Sequence, residues 1–128
     1  MLTREAVQAW LDAYIEAWRT YDRDAIADLF SADASYAYHP HDEPLQGREA
    51  IVASWLEERD EPGSWEAAYR PLLIERDRAV ATGESRYAKG AVFSNLYVLR
   101  FDDEGRCSEL VEWYIEQPKA ETGAPLPS

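Results

Sequence analysis

A chain of 128 residues is the size of one domain, and with 46% hydrophobic residues, among them five tryptophans and eight tyrosines, it can bury an aromatic-rich core. Its 25 acids against 13 bases leave a formal charge of −12, a field that repels phosphate backbones and anionic lipid, so neither nucleic acid nor a membrane is expected as a partner. The single cysteine, Cys107, excludes an internal disulfide and a thiolate metal cluster, and the opening MLTREAVQAW lacks the basic segment and apolar run of a signal peptide, so a cytoplasmic location is expected.

Thr3 is placed to cap a first helix, with Glu5 in its first turn. Val7, Trp10, Leu11, Tyr14, Ile15 and Trp18 then recur at spacings of three and four, opposite Arg4, Gln8, Asp12, Glu16 and Arg19. A shorter helix is predicted from Asp22 or Asp24, carrying Ile26, Leu29 and Phe30. SYAYH (35–39) alternates and is rich in tyrosine, which predicts a strand stopping at Pro40. HPHDEPLQG reads as loop. A third helix after Gly47 places Ile51, Trp55 and Leu56 together and ends before Pro62-Gly63.

The second half changes character. SWEAAYRPLLIE (64–75), AVATGESRYA (79–88), VFSNLYVLRF (92–101) and RCSELVEWYIE (106–116) read as four long strands. ERDR (75–78) and DDEG (102–105) supply turns, Lys89-Gly90 a break, and Gly105 suits a position with positive φ. From residue 118 the chain is a polar, proline-bearing tail ending KAETGAPLPS, expected to be disordered, which leaves residues 1–117 as a single domain. Helices first and a strand meander last make an α+β fold.

This order of elements is recognisable. A long aromatic helix, YDRDAIADLFSADASY, a strand ending in proline, LQGREAIVASW and the closing hairpin NLYVLRFDDEGRCSELVEWYIEQ together resemble the nuclear transport factor 2-like superfamily, in its SnoaL-like and ketosteroid-isomerase-like branches. The resemblance implies a cone-shaped fold, in which a strongly curved, mostly antiparallel sheet wraps around three N-terminal helices and encloses a pocket. Superfamily members include isomerases, dehydratases and polyketide cyclases as well as modules that only bind or dimerise. Fold therefore does not assign function.

Laid on the isomerase pattern, the general base before a proline falls at His39, the oxyanion tyrosine eight residues before an aspartate at Tyr14 (before Asp22), and the second donor at Tyr97, four residues before Phe101. An imidazole can take a proton near neutral pH, and two phenols in a dry pocket can donate to a developing enolate. A dehydratase-like branch uses a His–Asp pair whose aspartate falls at Asp22, with His39 as its partner if the two meet inside the cone. The implied pocket is lined by Trp10, Trp18, Tyr38, Trp55, Leu99, Leu110, Glu112 and Tyr114.

Each of these residues also has a plainer reading. His39 can close a strand, Asp22 can cap the second helix, and Tyr14 and Tyr97 can simply pack in the core. His39, His41 and Asp42 together suggest a metal, but Pro40 breaks the alternation and no distant histidine completes the set, so no metal is expected. In SELVEWYIE, alternation alone would bury Val111, Trp113 and Ile115. The resemblance instead turns Leu110, Glu112 and Tyr114 into the cone. It leaves an apolar outer face that needs a cover, which predicts a homodimer through that face. Glu112 would then be a pocket carboxyl with a raised pKa, or paired with Arg48, Arg70 or Arg86.

Two functional readings follow. One is a small-molecule isomerase, lyase or cyclase working by acid–base chemistry on a mainly apolar ligand, with His39 as base. The other is a ligand-binding or dimerisation module without turnover. No organic cofactor is expected, since Gly-rich phosphate loops are absent.

Overall fold

The computed structural model describes residues 2–118, so the predicted tail lies, apart from Pro118, outside the described residues. Helix α1 (Arg4–Thr20) starts where Thr3 Oγ1 accepts from the Ala6 amide at 3.1 Å, and it buries Val7, Trp10, Leu11, Tyr14 and Ala17. Burying one such leucine stabilises the fold by about 2 kcal/mol. The helix stops at Tyr21, whose amide donates to the Ala17 carbonyl at 2.7 Å from a left-handed conformation, φ 52°. For a residue with a Cβ this costs about 1–2 kcal/mol.

Helix α2 (Arg23–Asp28) is capped by Asp22, whose Oδ1 accepts from the amides of Asp24 (2.9 Å) and Ala25 (3.2 Å). The predicted helix continued through Leu29 and Phe30, but in the structure Phe30 opens strand β1 (Phe30–Ala37). Long-range bonds decide the boundary: the Leu29 carbonyl accepts from the Cys107 amide at 2.8 Å and from Trp10 Nε1 at 2.9 Å. These tie Leu29 to the sheet and to α1. Strand β1 thus begins earlier than predicted and ends before Tyr38 and His39. The segment predicted as loop contains β2 (Leu45–Gln46), which pairs antiparallel with Tyr36 and Ser35 and is too short for any alternation to betray it. Helix α3 (Arg48–Glu57) follows Gly47 and ends before Pro62-Gly63, as its sequence predicts.

Strands β3 (Trp65–Glu75), β4 (Arg78–Tyr87), β5 (Val92–Phe101) and β6 (Cys107–Glu116) form an antiparallel meander, and β6 closes on β1 in parallel. The sheet order is β2-β1-β6-β5-β4-β3. Register shifts between Phe30 and Ser35, Pro71 and Leu73, and Arg100 and Phe101 mark irregularities that favour bending and twisting. The result is a curved, unclosed six-stranded sheet holding helices against its concave face, an α+β cone. In the β5–β6 turn Gly105 has φ 82°, and Asp102 Oδ1 accepts from the amides of Glu104 and Arg106, each at 2.9 Å.

The core joins α1 and α3 to the inner face of the sheet, with Phe30, Tyr36, Leu99 and Leu110 all at most 1% exposed. On the outer face, cross-strand neighbours Val98–Val111 and Leu96–Trp113 bring apolar side chains together beside Ile115. Trp113 is 38% and Ile115 71% exposed. No helix among the described residues is long and apolar enough to cross a membrane.

Candidate functional site

Strand alternation builds the site. Asn95 and Tyr97 on β5 stand opposite Tyr114 and Glu112 on β6, and all four line a cavity of about 500 Å³ inside the cone. Helix α1 adds Tyr14 and Trp18, β1 adds Tyr36, α3 adds Trp55, and β3 and β4 add Tyr69 and Ser85. The wall is predominantly aromatic. Tyr21, Glu58, Asp60, Tyr87, Lys89 and Phe93 complete it together with Tyr38 and Ala91.

At the inner end the polar groups converge. The Tyr97 hydroxyl donates to Glu112 Oε2 at 3.4 Å, and the Tyr14 and Tyr36 hydroxyls share a hydrogen bond of 2.8 Å. Ser85 donates to Asn95 Oδ1 at 3.0 Å. Burial raises the Glu112 carboxyl to about 7, with hydrogen bonds from Tyr97 and Asn95 holding it below where burial alone would put it. No arginine offsets that burial: Arg48 bonds the Phe30 carbonyl, Arg86 pairs with Glu84, and Arg70 is exposed. The Tyr14, Tyr36 and Tyr97 phenols are pushed well above the usual range, chiefly by desolvation and then by neighbouring phenols and Glu112, so they remain proton donors. Around them stands a tight aromatic cage, with Tyr14 edge-on to Trp55 at 5.1 Å and Tyr69 edge-on to Tyr97 at 5.1 Å. An apolar ring fits such a wall, and the hydroxyls gathered at the inner end can donate to an oxygen on that ring.

The outer part of the cavity is held by α1 and the β2–β3 region. Trp18 stacks on Trp65 at 3.5 Å and donates from Nε1 to Asp60 Oδ2 at 2.9 Å, while the Asp60 amide donates to the Tyr21 hydroxyl at 2.8 Å. The strained Tyr21 is thus part of the wall, and Asp60 fixes its ring.

The profile of the SnoaL-like domain matches residues 11–110. The chain belongs to the SnoaL-like domain family. Among solved structures, the fold is similar to an NTF-2-like protein of unknown function from Burkholderia xenovorans LB400, at 19% identity and a TM-score of 0.71, covering 97% of each chain. It is similar also to a protein provisionally assigned as a ketosteroid isomerase, from Kribbella flavida DSM 17836, at 18% identity and a TM-score of 0.70, covering 98% of this chain and 93% of that one. At such identities the likeness is one of fold. No curated protein matches the sequence.

The SnoaL-like cone distributes the sequence-derived candidates unequally. Tyr14, Tyr97, Trp18, Tyr38, Trp55, Glu112 and Tyr114 line the cavity. Trp10, Leu99 and Leu110 do not; they belong to the core, where Trp10 packs edge-on against Phe101 at 5.4 Å. Asp22 is occupied as the cap of α2 and makes no bond to His39. His39 is not a lining residue either. Its Nδ1 lies 2.8 Å from Asp42 Oδ2 and its Nε2 2.7 Å from the Tyr114 hydroxyl, so it reaches the cavity only through Tyr114. His39, His41 and Asp42 also offer three ligand atoms within 4.8 Å of one another, with the His41 side chain 80% exposed. Tyr36, Tyr69, Ser85 and Asn95 escaped the sequence reading. The signal for Tyr36 was present, since it shares strand parity with Tyr38, but a tyrosine on an alternating strand reads equally as core.

Proposed function

We propose that this SnoaL-like domain binds a small, mainly apolar, ring-containing molecule with an oxygen function and moves a proton on it, as isomerases, lyases and cyclases do. The observation that carries this reading is Glu112, a carboxyl on the floor of an aromatic cavity, raised to about 7 by burial and without a cation partner among the described residues. Near neutral pH it holds both forms, which suits proton abstraction from carbon and return. Tyr97, bonded to it, and Tyr14, whose ring lies 5.7 Å from that of Tyr97, supply hydroxyls to the enolate oxygen that develops as the proton leaves. His39 therefore gives way to Glu112 as the base.

Deuterium exchange at the α-carbon of 2-tetralone, followed by NMR in heavy water, tests the reading with a probe that needs only enolisation. Wild type is expected to accelerate exchange, and Glu112→Gln to lose roughly a hundredfold. A Glu112→Gln protein exchanging at the wild-type rate would remove Glu112 from the mechanism.

The same reading assigns the outer sheet face to a second copy of the chain. Leu96, Val98, Val111, Trp113 and Ile115 form an apolar surface on β5 and β6 that water disfavours. In sedimentation velocity wild type is expected to run as a dimer and Trp113→Glu as a monomer. Wild type running as a monomer at micromolar concentration contradicts the interface.

A further inference from the structure

We propose that the turn after β1 is a site for a divalent transition ion of the zinc type, held by His39 Nδ1, His41 and Asp42, and that the ion sets which way the Tyr114 hydroxyl donates at the cavity wall. The site does not involve Glu112, so neither reading depends on the other. The sequence spoke against a metal because Pro40 breaks the alternation of the strand. In the structure Pro40 instead takes the second position of a turn, for which its fixed φ is suited, and the turn closes with the Asp42 amide donating to the His39 carbonyl at 3.1 Å. The proline thereby gathers His39 and Asp42, which a continuous strand would have sent to opposite faces.

Both histidines of the chain converge on one carboxylate. His39 Nδ1 lies 2.8 Å from Asp42 Oδ2, and His41 Nε2 lies 3.6 Å from Asp42 Oδ1. The two imidazoles lie alongside each other, 21° from parallel with centroids 5.5 Å apart, an arrangement that a single ion pair does not need. One ligand atom from each of the three residues falls within 4.8 Å of the others. Zinc holds nitrogen and oxygen at about 2.0–2.2 Å, which in a tetrahedron sets neighbouring ligand atoms about 3.4 Å apart. The observed separations bracket that value, and the exposed His41 side chain is free to swing the remaining distance. Imidazole with carboxylate suits zinc and its first-row neighbours, whereas magnesium and calcium favour oxygen shells. Three protein ligands leave a fourth position to water, and a chain with 25 acids against 13 bases draws cations to its surface.

His39 carries the presence of the ion into the cavity. A carboxylate only accepts, so in the neutral ring bonded to Asp42 the proton sits on Nδ1, and Nε2 accepts from the Tyr114 hydroxyl at 2.7 Å. An ion on Nδ1 takes the lone pair there. The Nδ1 proton then leaves to solvent and Nε2 collects one, so the ring stays neutral. Nε2 now donates to the Tyr114 oxygen, which becomes the partner that orients a metal-bound histidine. The Tyr114 hydroxyl, no longer donating to His39, is free to donate to a molecule in the cavity that Tyr114 lines. An ion on the turn thus adds a hydrogen-bond donor to the cavity without itself touching the occupant.

Zinc titrated into the purified chain by calorimetry, with the melting temperature read alongside, tests the site. Wild type is expected to take up one zinc per chain and to melt higher with it, while an equal concentration of magnesium changes neither. His41→Ala should weaken zinc binding at least tenfold, and its melt without metal should stay at the wild-type value because the side chain is exposed. Tyr114→Phe should weaken zinc binding by about tenfold, the loss expected when the partner of a metal-bound histidine is removed. The ¹⁵N shifts of His39 give a second readout. Without metal they should show Nδ1 protonated and Nε2 as acceptor; zinc should reverse the two in wild type and leave them as they were in His41→Ala. A wild type that takes up no zinc, equal affinity in His41→Ala, or magnesium binding as well as zinc overturns the site. A His39 proton that stays on Nδ1 with zinc bound, or an affinity unmoved by Tyr114→Phe, overturns its link to the cavity.

Discussion

Replacing Glu112 with glutamine should make the protein more stable at alkaline pH and change how its stability depends on pH. An ordinary glutamate titrates near 4.5, and burial raises Glu112 to about 7. Between those values the folded chain keeps a proton that the unfolded chain has released, so stability falls as pH rises through this window. At about 1.4 kcal/mol per pH unit, the fully ionised carboxylate costs the fold about 3 kcal/mol above the window. Glutamine keeps the shape and an acceptor for the Tyr97 hydroxyl but cannot ionise. The stability of Glu112→Gln relative to wild type should therefore rise by about 2.5 kcal/mol between about pH 5 and pH 8.5. Starting at about pH 5 stays above the sequence pI of 4.5, where precipitation would intrude. Urea unfolding of both proteins across the range gives the difference directly, and taking a difference cancels the titration of the other acids. In thermal melts the same gap opens by roughly 10 °C. A gap that stays constant with pH would mean that Glu112 is not desolvated. A gap that closes as pH rises would mean that a cation holds the carboxylate ionised.

Gly83 on β4 faces Tyr69 on β3, and a Cβ there would overlap the Ala68 carbonyl oxygen and come within 2.7 Å of Tyr69 Cδ1. Gly83→Ala should thus cost about 3 kcal/mol, read from the urea midpoint. Asp22→Ala removes the cap of α2 and should cost about 1 kcal/mol in the same experiment, with 2-tetralone exchange as the check that Asp22 acts only on stability. Cys107 is fully buried and its thiol is pushed up to about 12, so it should react with a thiol reagent only as fast as the protein unfolds, measurable by the release of a chromophore with and without urea.

Periodicity located α1 and the four-strand meander, and residue type the cap at Thr3, because each rests on chemistry local to its own stretch of chain. Boundaries set by distant partners were not legible. Leu29 and Phe30 continue the apolar spacing of α2, yet Cys107 and Trp10 claim the Leu29 carbonyl and the chain turns into β1. The two-residue β2 exists only because β1 lies beside it.

The site divides in the same way. Tyr14, Tyr97, Glu112 and Tyr114 could be named only through the family resemblance; strand parity by itself says that Glu112 and Tyr114 share a face of β6, not that the face is turned inward. Which face is inside is another matter: Val111, Trp113 and Ile115 are the more apolar set on β6, yet Trp113 and Ile115 stay exposed while Glu112 is buried, because the curvature of the sheet chooses the concave side. His39 shows the limit most clearly. Its place before Pro40 marks it as a candidate in the sequence, but only the closing of β6 against β1 brings Tyr114, 75 positions away, to its Nε2 and turns a loop histidine into the middle of a hydrogen-bonded chain. Residue types and local spacing determined which groups this chain has for acid–base work. Long-range strand pairing decided which of them meet, because a hydrogen bond depends on distances of a few ångströms that no local pattern encodes.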